Sequence, residues 1–155
     1  CCSASYALFP ASRLSRPLPE RLRLLAGICD IVSRLHRKGI FHRDLKEDNV
    51  LVDGGGRPWL IDFGLARAET DELHLTRSRC LLGTPVYLAP ELWRDPGAVS
   101  VASEVWALGI MSYRLITGLS PFTGKNILAL YENIRQSPAS PLPGVKGGVS
   151  VSRHR

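Results

Sequence analysis

An α+β fold, mainly helical and carrying one small β-hairpin and a long irregular segment, is what the amino-acid sequence predicts. Three observations lead there. Apolar residues recur at three- and four-residue steps over 18–35 and 127–134, and a run that is apolar nearly all round fills 101–116. Two short apolar runs, Val50-Leu51-Val52 and Trp59-Leu60-Ile61, flank a turn-rich stretch. Residues 62–100 hold no period, many hydroxyls and several prolines.

Taken in order, residues 1–16 have no sustained pattern and read as an irregular flank. From Pro17 the positions Leu18, Leu22, Leu25, Ile28, Val32 and Leu35 mark one face of a helix. Pro19 and Glu20 suit its first turn, Arg37 and Lys38 its last, and Gly39 can close it in the left-handed conformation. Asp53-Gly54-Gly55-Gly56-Arg57-Pro58 between the apolar runs predicts a hairpin. An irregular stretch as long as 62–100 within a folded unit is usually functional. The helix from Val101 to Ile116 lacks a clear polar face, which marks it as buried, and Gly118 ends it. Ile127, Leu128, Leu130, Tyr131 and Ile134 predict a last amphipathic helix. One folded unit over 17–136 is therefore expected, followed by a basic tail at 137–155 rich in Pro, Gly and Ser.

The bulk properties narrow the function. A chain of 155 residues, 45% apolar and 22% charged, suits one globular domain. The formal net charge of +6 is spread out rather than gathered in a stripe interleaved with aromatics, so nucleic acid is not the expected partner. Attraction to acidic or phosphorylated partners is the safer expectation. Cys1, Cys2, Cys29 and Cys80 show no CxxC spacing, which points to neither zinc nor a disulfide framework and makes a reducing, cytoplasmic setting the default. No apolar run approaches the length of a membrane span, and the first residues lack the plan of a signal peptide.

The chemistry centres on His42-Arg43-Asp44-Leu45-Lys46-Glu47-Asp48-Asn49, just before the hairpin, and on Asp62-Phe63-Gly64, which its second strand delivers. Oxygen donors, a further aspartate and a lysine converging at one hairpin suit phosphoryl transfer. Hard oxygen ligands hold Mg²⁺ against phosphates, a cation neutralises the transferred group, and a carboxylate orients the attacking hydroxyl. Taken singly, Asp44 reads as a surface residue or cap, Asp62 as a turn former and Leu51 as plain strand core.

Together HRDLKEDN, DFG and GTPVYLAPE resemble the catalytic loop, metal-binding motif and activation-segment end of eukaryotic-type (Hanks-type) serine/threonine protein kinases. SEVWALGIMSYRLITGLSPF resembles the buried helix that follows them, and the style is similar to bacterial members. The resemblance runs from about Pro17 to about Gln136 and implies the C-terminal lobe of a kinase that moves the γ-phosphoryl of ATP, with Mg²⁺, to a protein Ser/Thr hydroxyl. It makes Asp44 the catalytic aspartate and Lys46 the lysine that marks a serine/threonine enzyme and contacts ATP. Asn49 and Asp62 become the metal ligands. Leu51 becomes the floor beneath the adenine ring, resting on Met111 and Leu115, and His42 packs on Phe63. Thr84 is expected to bridge Asp44 and Lys46, while Arg43 is expected to meet phosphates on Thr76 and Ser78 of the activation segment.

The pattern also departs from the family. Residues 1–41 show no glycine-rich phosphate loop, no V-A-x-K strand and no helix bearing the lysine's glutamate partner, so this segment alone is expected to bind ATP poorly and turn over little. Glu91, which the resemblance pairs with a distant arginine, finds no recognisable partner in the tail. Glu104 stands where the family has aspartate, and its extra methylene is expected to strain the catalytic loop. Arg114 stands where kinases selecting basic substrates carry an acid. Two rival readings remain: a catalytically silent, pseudokinase-like binding module, and a small-molecule phosphotransferase, from which the GTPVYLAPE segment would be missing.

Overall fold

The computed structural model describes residues 7–8, 16–63 and 85–143. Helix α1 spans Leu18–His36, strands β2 and β3 span Val50–Val52 and Pro58–Leu60, helix α2 spans Val101–Thr117 and helix α3 spans Ile127–Gln136. Ahead of them Ala7–Leu8 forms a two-residue strand, β1, which lies antiparallel to β2 with Ala7 opposite Val52 and Leu8 opposite Leu51. The flank read as irregular thus supplies an edge to the hairpin, giving a three-stranded sheet of order β1-β2-β3. A segment this short has no alternation of its own to reveal it; its partner strand defines it.

Helix α1 starts at prolines, where a missing N–H costs nothing, and ends at His36, with Gly39 at φ 70° in the turn that follows. Its buried stripe is Leu24, Ile28 and Val32. Leu18 and Leu22, which the periodicity put on that stripe, are 43% and 44% exposed. The face is rotated because Arg21 turns inward: its Nη1 donates to the carbonyls of Leu115 and Ile116, each at 3.0 Å, and so satisfies two end carbonyls of α2.

Helix α2 opens on a capping box between Ser100 and Ser103 and closes at Gly118, φ 76°. Ala107, Ile110, Met111 and Leu115 join Leu24, Ile28 and Val32 of α1, Val50 and Val52 of β2, and Val86 and Tyr87 in one apolar core. Burial holds for that face only, since Val101 and Val105 at the start of α2 are exposed among the described residues. Helix α3 buries Ile134. The part of 62–100 that is described contains a short 3-10 helix at Pro85–Tyr87 and turns, as its lack of period predicts. No helix among the described residues is long and apolar enough to cross a membrane.

Candidate functional site

The loop from Phe41 to Asn49 lies between α1 and β2, over the core that α1 and α2 share. Leu45 plugs into that core at 3% exposure, which anchors the middle of the loop and leaves the residues on either side half-buried at its surface. There Asp44 Oδ2 receives Lys46 Nζ at 2.8 Å and Asn49 Nδ2 at 2.9 Å. Asn49 Nδ2 also donates to the Asp44 carbonyl at 2.7 Å. A 3-10 turn at Glu47–Asn49 brings the asparagine back to the aspartate, five residues apart in sequence. Three of the residues singled out in the sequence therefore form one charge-assisted cluster.

Asp62 is joined to this cluster through the backbone. Its neighbour Ile61 donates N–H to the Asn49 carbonyl at 3.0 Å, and Asp62 itself is exposed with φ 55°. A non-glycine residue in that left-handed region costs energy and persists only where its surroundings enforce it. Asn49 spends its amide N–H groups on Asp44, and its Oδ1 makes no hydrogen bond among the described residues. An amide oxygen and a carboxylate at one strand end are the hard donor set that Mg²⁺ takes, so the residues fit the ion.

Leu51 is half-buried and faces away from Val50 and Val52. Strand alternation decides this: the residues that reach Met111 and Leu115 in the core are Val50 and Val52, not Leu51, which correction leaves Leu51 on the opposite face of the sheet. Thr76, Ser78 and Thr84 lie outside the described residues, as does Gly64. Arg43 is exposed, at φ 68°.

His42 is wholly buried, with its ring 4.7 Å from that of Phe63. Its Nε2–H donates to the Ile61 carbonyl at 3.0 Å, while Nδ1 has no hydrogen-bond partner among the described residues. Burial therefore holds its pKa below the ordinary 6.5, against smaller opposing pulls from the Ile61 carbonyl, Glu104 and Asp44. The unfolded chain then binds this proton more readily than the folded one. The neutral ring's contribution is full above about pH 6.5 and is lost as pH falls below it. We expect the thermal midpoint to drop between pH 7.5 and pH 5.5, and His42→Phe to shrink that drop; an equal drop in both proteins would refute the assignment.

Two features escaped the sequence reading. Glu47, 2% exposed, accepts from the Tyr87 hydroxyl and from Arg114 Nε at 3.0 Å, and the Arg114 guanidinium lies 5.7 Å from the Tyr87 ring centre. This cluster ties the loop to Pro85–Tyr87 and to α2. Glu104, 4% exposed, reaches the loop in spite of its extra length: its Oε1 accepts the Arg43 N–H at 2.7 Å and its Oε2 the His36 Nε2–H at 2.6 Å. The longer side chain is accommodated by spanning two donors. Glu91 is exposed and makes no ion pair among the described residues.

The protein kinase domain family matches residues 14–143. The serine/threonine-protein kinase RUNKEL of Arabidopsis thaliana is 44% identical over 110 residues, covering 71% of this chain and 8% of that protein. The DNA damage-responsive serine/threonine-protein kinase RqkA of Deinococcus radiodurans is 38% identical over 86% of this chain and 20% of its own length. PknB of Mycobacterium leprae, a serine/threonine-protein kinase, is 33% identical over 81% of this chain and 20% of its own. The chain thus spans a fifth or less of the length of these relatives.

Proposed function

Because this chain belongs to the protein kinase family, on the serine/threonine side of it, we propose that it supplies the catalytic loop and metal-binding strand end for transfer of the γ-phosphoryl of ATP to a protein serine or threonine. The observation that carries the reading is the convergence of Lys46 Nζ and Asn49 Nδ2 on Asp44 Oδ2. Asp44 orients the substrate hydroxyl and accepts its proton. Lys46 offsets charge on the transferred group. Asn49 and Asp62 would hold Mg²⁺, which when bound neutralises the phosphate oxygens. Leu51 lies beneath the base. A cytoplasmic site of action goes with this reading, since ATP is present there and a free Cys29 stays reduced.

The test is made on the full-length protein. Incubation with γ-labelled ATP and a protein mixture should label serine and threonine, and label on tyrosine alone would overturn the substrate class. Asp62→Asn should raise the Kd for Mg-ATP by about tenfold or more, a loss of one charged metal ligand. An unchanged Kd by calorimetric titration would remove Asp62 from the metal site.

A further inference from the structure

We propose that the proline-bearing ribbon after α3 is a preformed docking peptide for an SH3 domain, a partner whose aromatic-lined groove takes polyproline II segments and whose rim is acidic. Ser137-Pro138-Ala139-Ser140-Pro141-Leu142-Pro143 follows the last residue of α3. Each proline fixes its own φ at about −65° and excludes the helical region for the residue before it. The backbone of every residue here except Ala139 is restricted in one of these two ways. Ser137 stands at φ −104° and ψ 145°, and residues 137–142 form neither helix nor strand. An extended segment without internal hydrogen bonds is what such a sequence favours.

Two bonds hold the ribbon to the body of the molecule without covering it. Ser140 N–H donates to the Pro121 carbonyl at 3.1 Å, and the Tyr113 hydroxyl of α2 donates to the Pro141 carbonyl at 3.2 Å. Every residue from Arg135 to Pro143 is nevertheless exposed. At about three residues per turn, Pro138 and Pro141 share one edge of such a ribbon, and Ala139 and Leu142 share another. A ridge of prolines held extended in solvent has already lost the freedom that binding would otherwise take from it. Charge selects among the grooves that could receive it. Arg135 stands three residues before Pro138, exposed, with its guanidinium 5.5 Å from the Tyr131 ring centre and no ion pair among the described residues. From Arg135 to Arg155 the sequence carries Arg135, Lys146, Arg153 and Arg155 and no acidic residue. An acidic rim complements that run. Neither the ribbon nor its anchors belong to the loop of Asp44, so docking here leaves the proposed chemistry untouched.

The test titrates the full-length protein with a panel of purified SH3 domains, followed by calorimetry. At least one domain is expected to bind with a Kd of about 100 µM or tighter, and the double change Pro138→Ala/Pro141→Ala to weaken it by about tenfold or more. Arg135→Glu should weaken it by about fivefold, with the larger loss at low salt. That variant alters no proline and keeps the test open should the double variant lose its fold. Tyr113→Phe leaves every residue of the ribbon in place, removes its anchor on Pro141, and should weaken binding by about threefold. An affinity unchanged in Tyr113→Phe would overturn the preformed ribbon. No saturable binding by any SH3 domain at up to about 1 mM, or binding that neither the proline changes nor Arg135→Glu weakens, would overturn the proposal as a whole. So would saturation by a WW domain in the absence of any by the SH3 domains.

Discussion

Asp44→Asn in the full-length protein should lower the rate of phosphoryl transfer by about a hundredfold or more, with little change in the affinity for Mg-ATP. The substitution keeps the shape of the side chain and removes the atom that accepts a proton. It also forces a choice at Oδ2, which now takes donors from both Lys46 and Asn49. An amide can meet them with its single oxygen only, so its NH2 group must point where the substrate hydroxyl is to be received. General base catalysis accounts for about 10²–10⁴ in rate, and the loss should fall in that range. Retention of more than about a tenth of the rate would leave Asp44 contributing under about 1.4 kcal/mol to the transition state, too little for the assigned role. The measurement is the initial rate of label transfer at saturating ATP, with calorimetric titration of Mg-ATP alongside.

Glu47→Ala is expected to be the most destabilising single change in the loop, about 3 kcal/mol in a denaturant titration. The carboxylate is buried and serves two donors, the Tyr87 hydroxyl and Arg114 Nε. Removing it strands a buried hydroxyl and a guanidinium whose side chain is only 27% exposed. Glu47→Gln should cost less, since the amide oxygen still accepts from Arg114 Nε while its NH2 group can donate to the Tyr87 hydroxyl oxygen. The midpoint should shift with an unchanged slope, as for a loss confined to the folded state. A shift below about 1 kcal/mol for Glu47→Ala would mean that the cluster is a surface pair of ordinary strength.

Much of the fold was legible because its elements announce themselves locally. Two helices carry a 3.6-residue period, the third a nearly unbroken apolar run and the hairpin two apolar runs about a turn-rich stretch, and the structure places their ends within about two residues of where capping and turn residues put them. Asp44, Lys46 and Asn49 were legible for the same reason, since one short loop holds all three. The contacts that orient this loop were not. Glu47 meets partners 40 and 67 residues away, and Glu104 meets partners 61 and 68 residues away. No local period records such pairs. Glu104 even looked like a fault in the sequence, because its second donor, His36, lies on another helix. Likewise the stripe of α1 was misplaced at its first turn, where Arg21 displaces Leu18 and Leu22 from the core for the sake of carbonyls 94 and 95 residues away.

That arginine also sets a timetable for the chain as it leaves the ribosome. The carbonyls it caps lie at Leu115 and Ile116, the latter 95 residues after Arg21. At 5–20 residues per second, synthesis needs roughly 5 to 20 s to cover that interval. For most of it Leu24, Ile28 and Val32 have been made while the surface of α2 that will cover them has not. The first helix must wait, with its apolar stripe uncovered, for the helix that completes it, and the nascent chain is most exposed to chaperones and to aggregation during that wait.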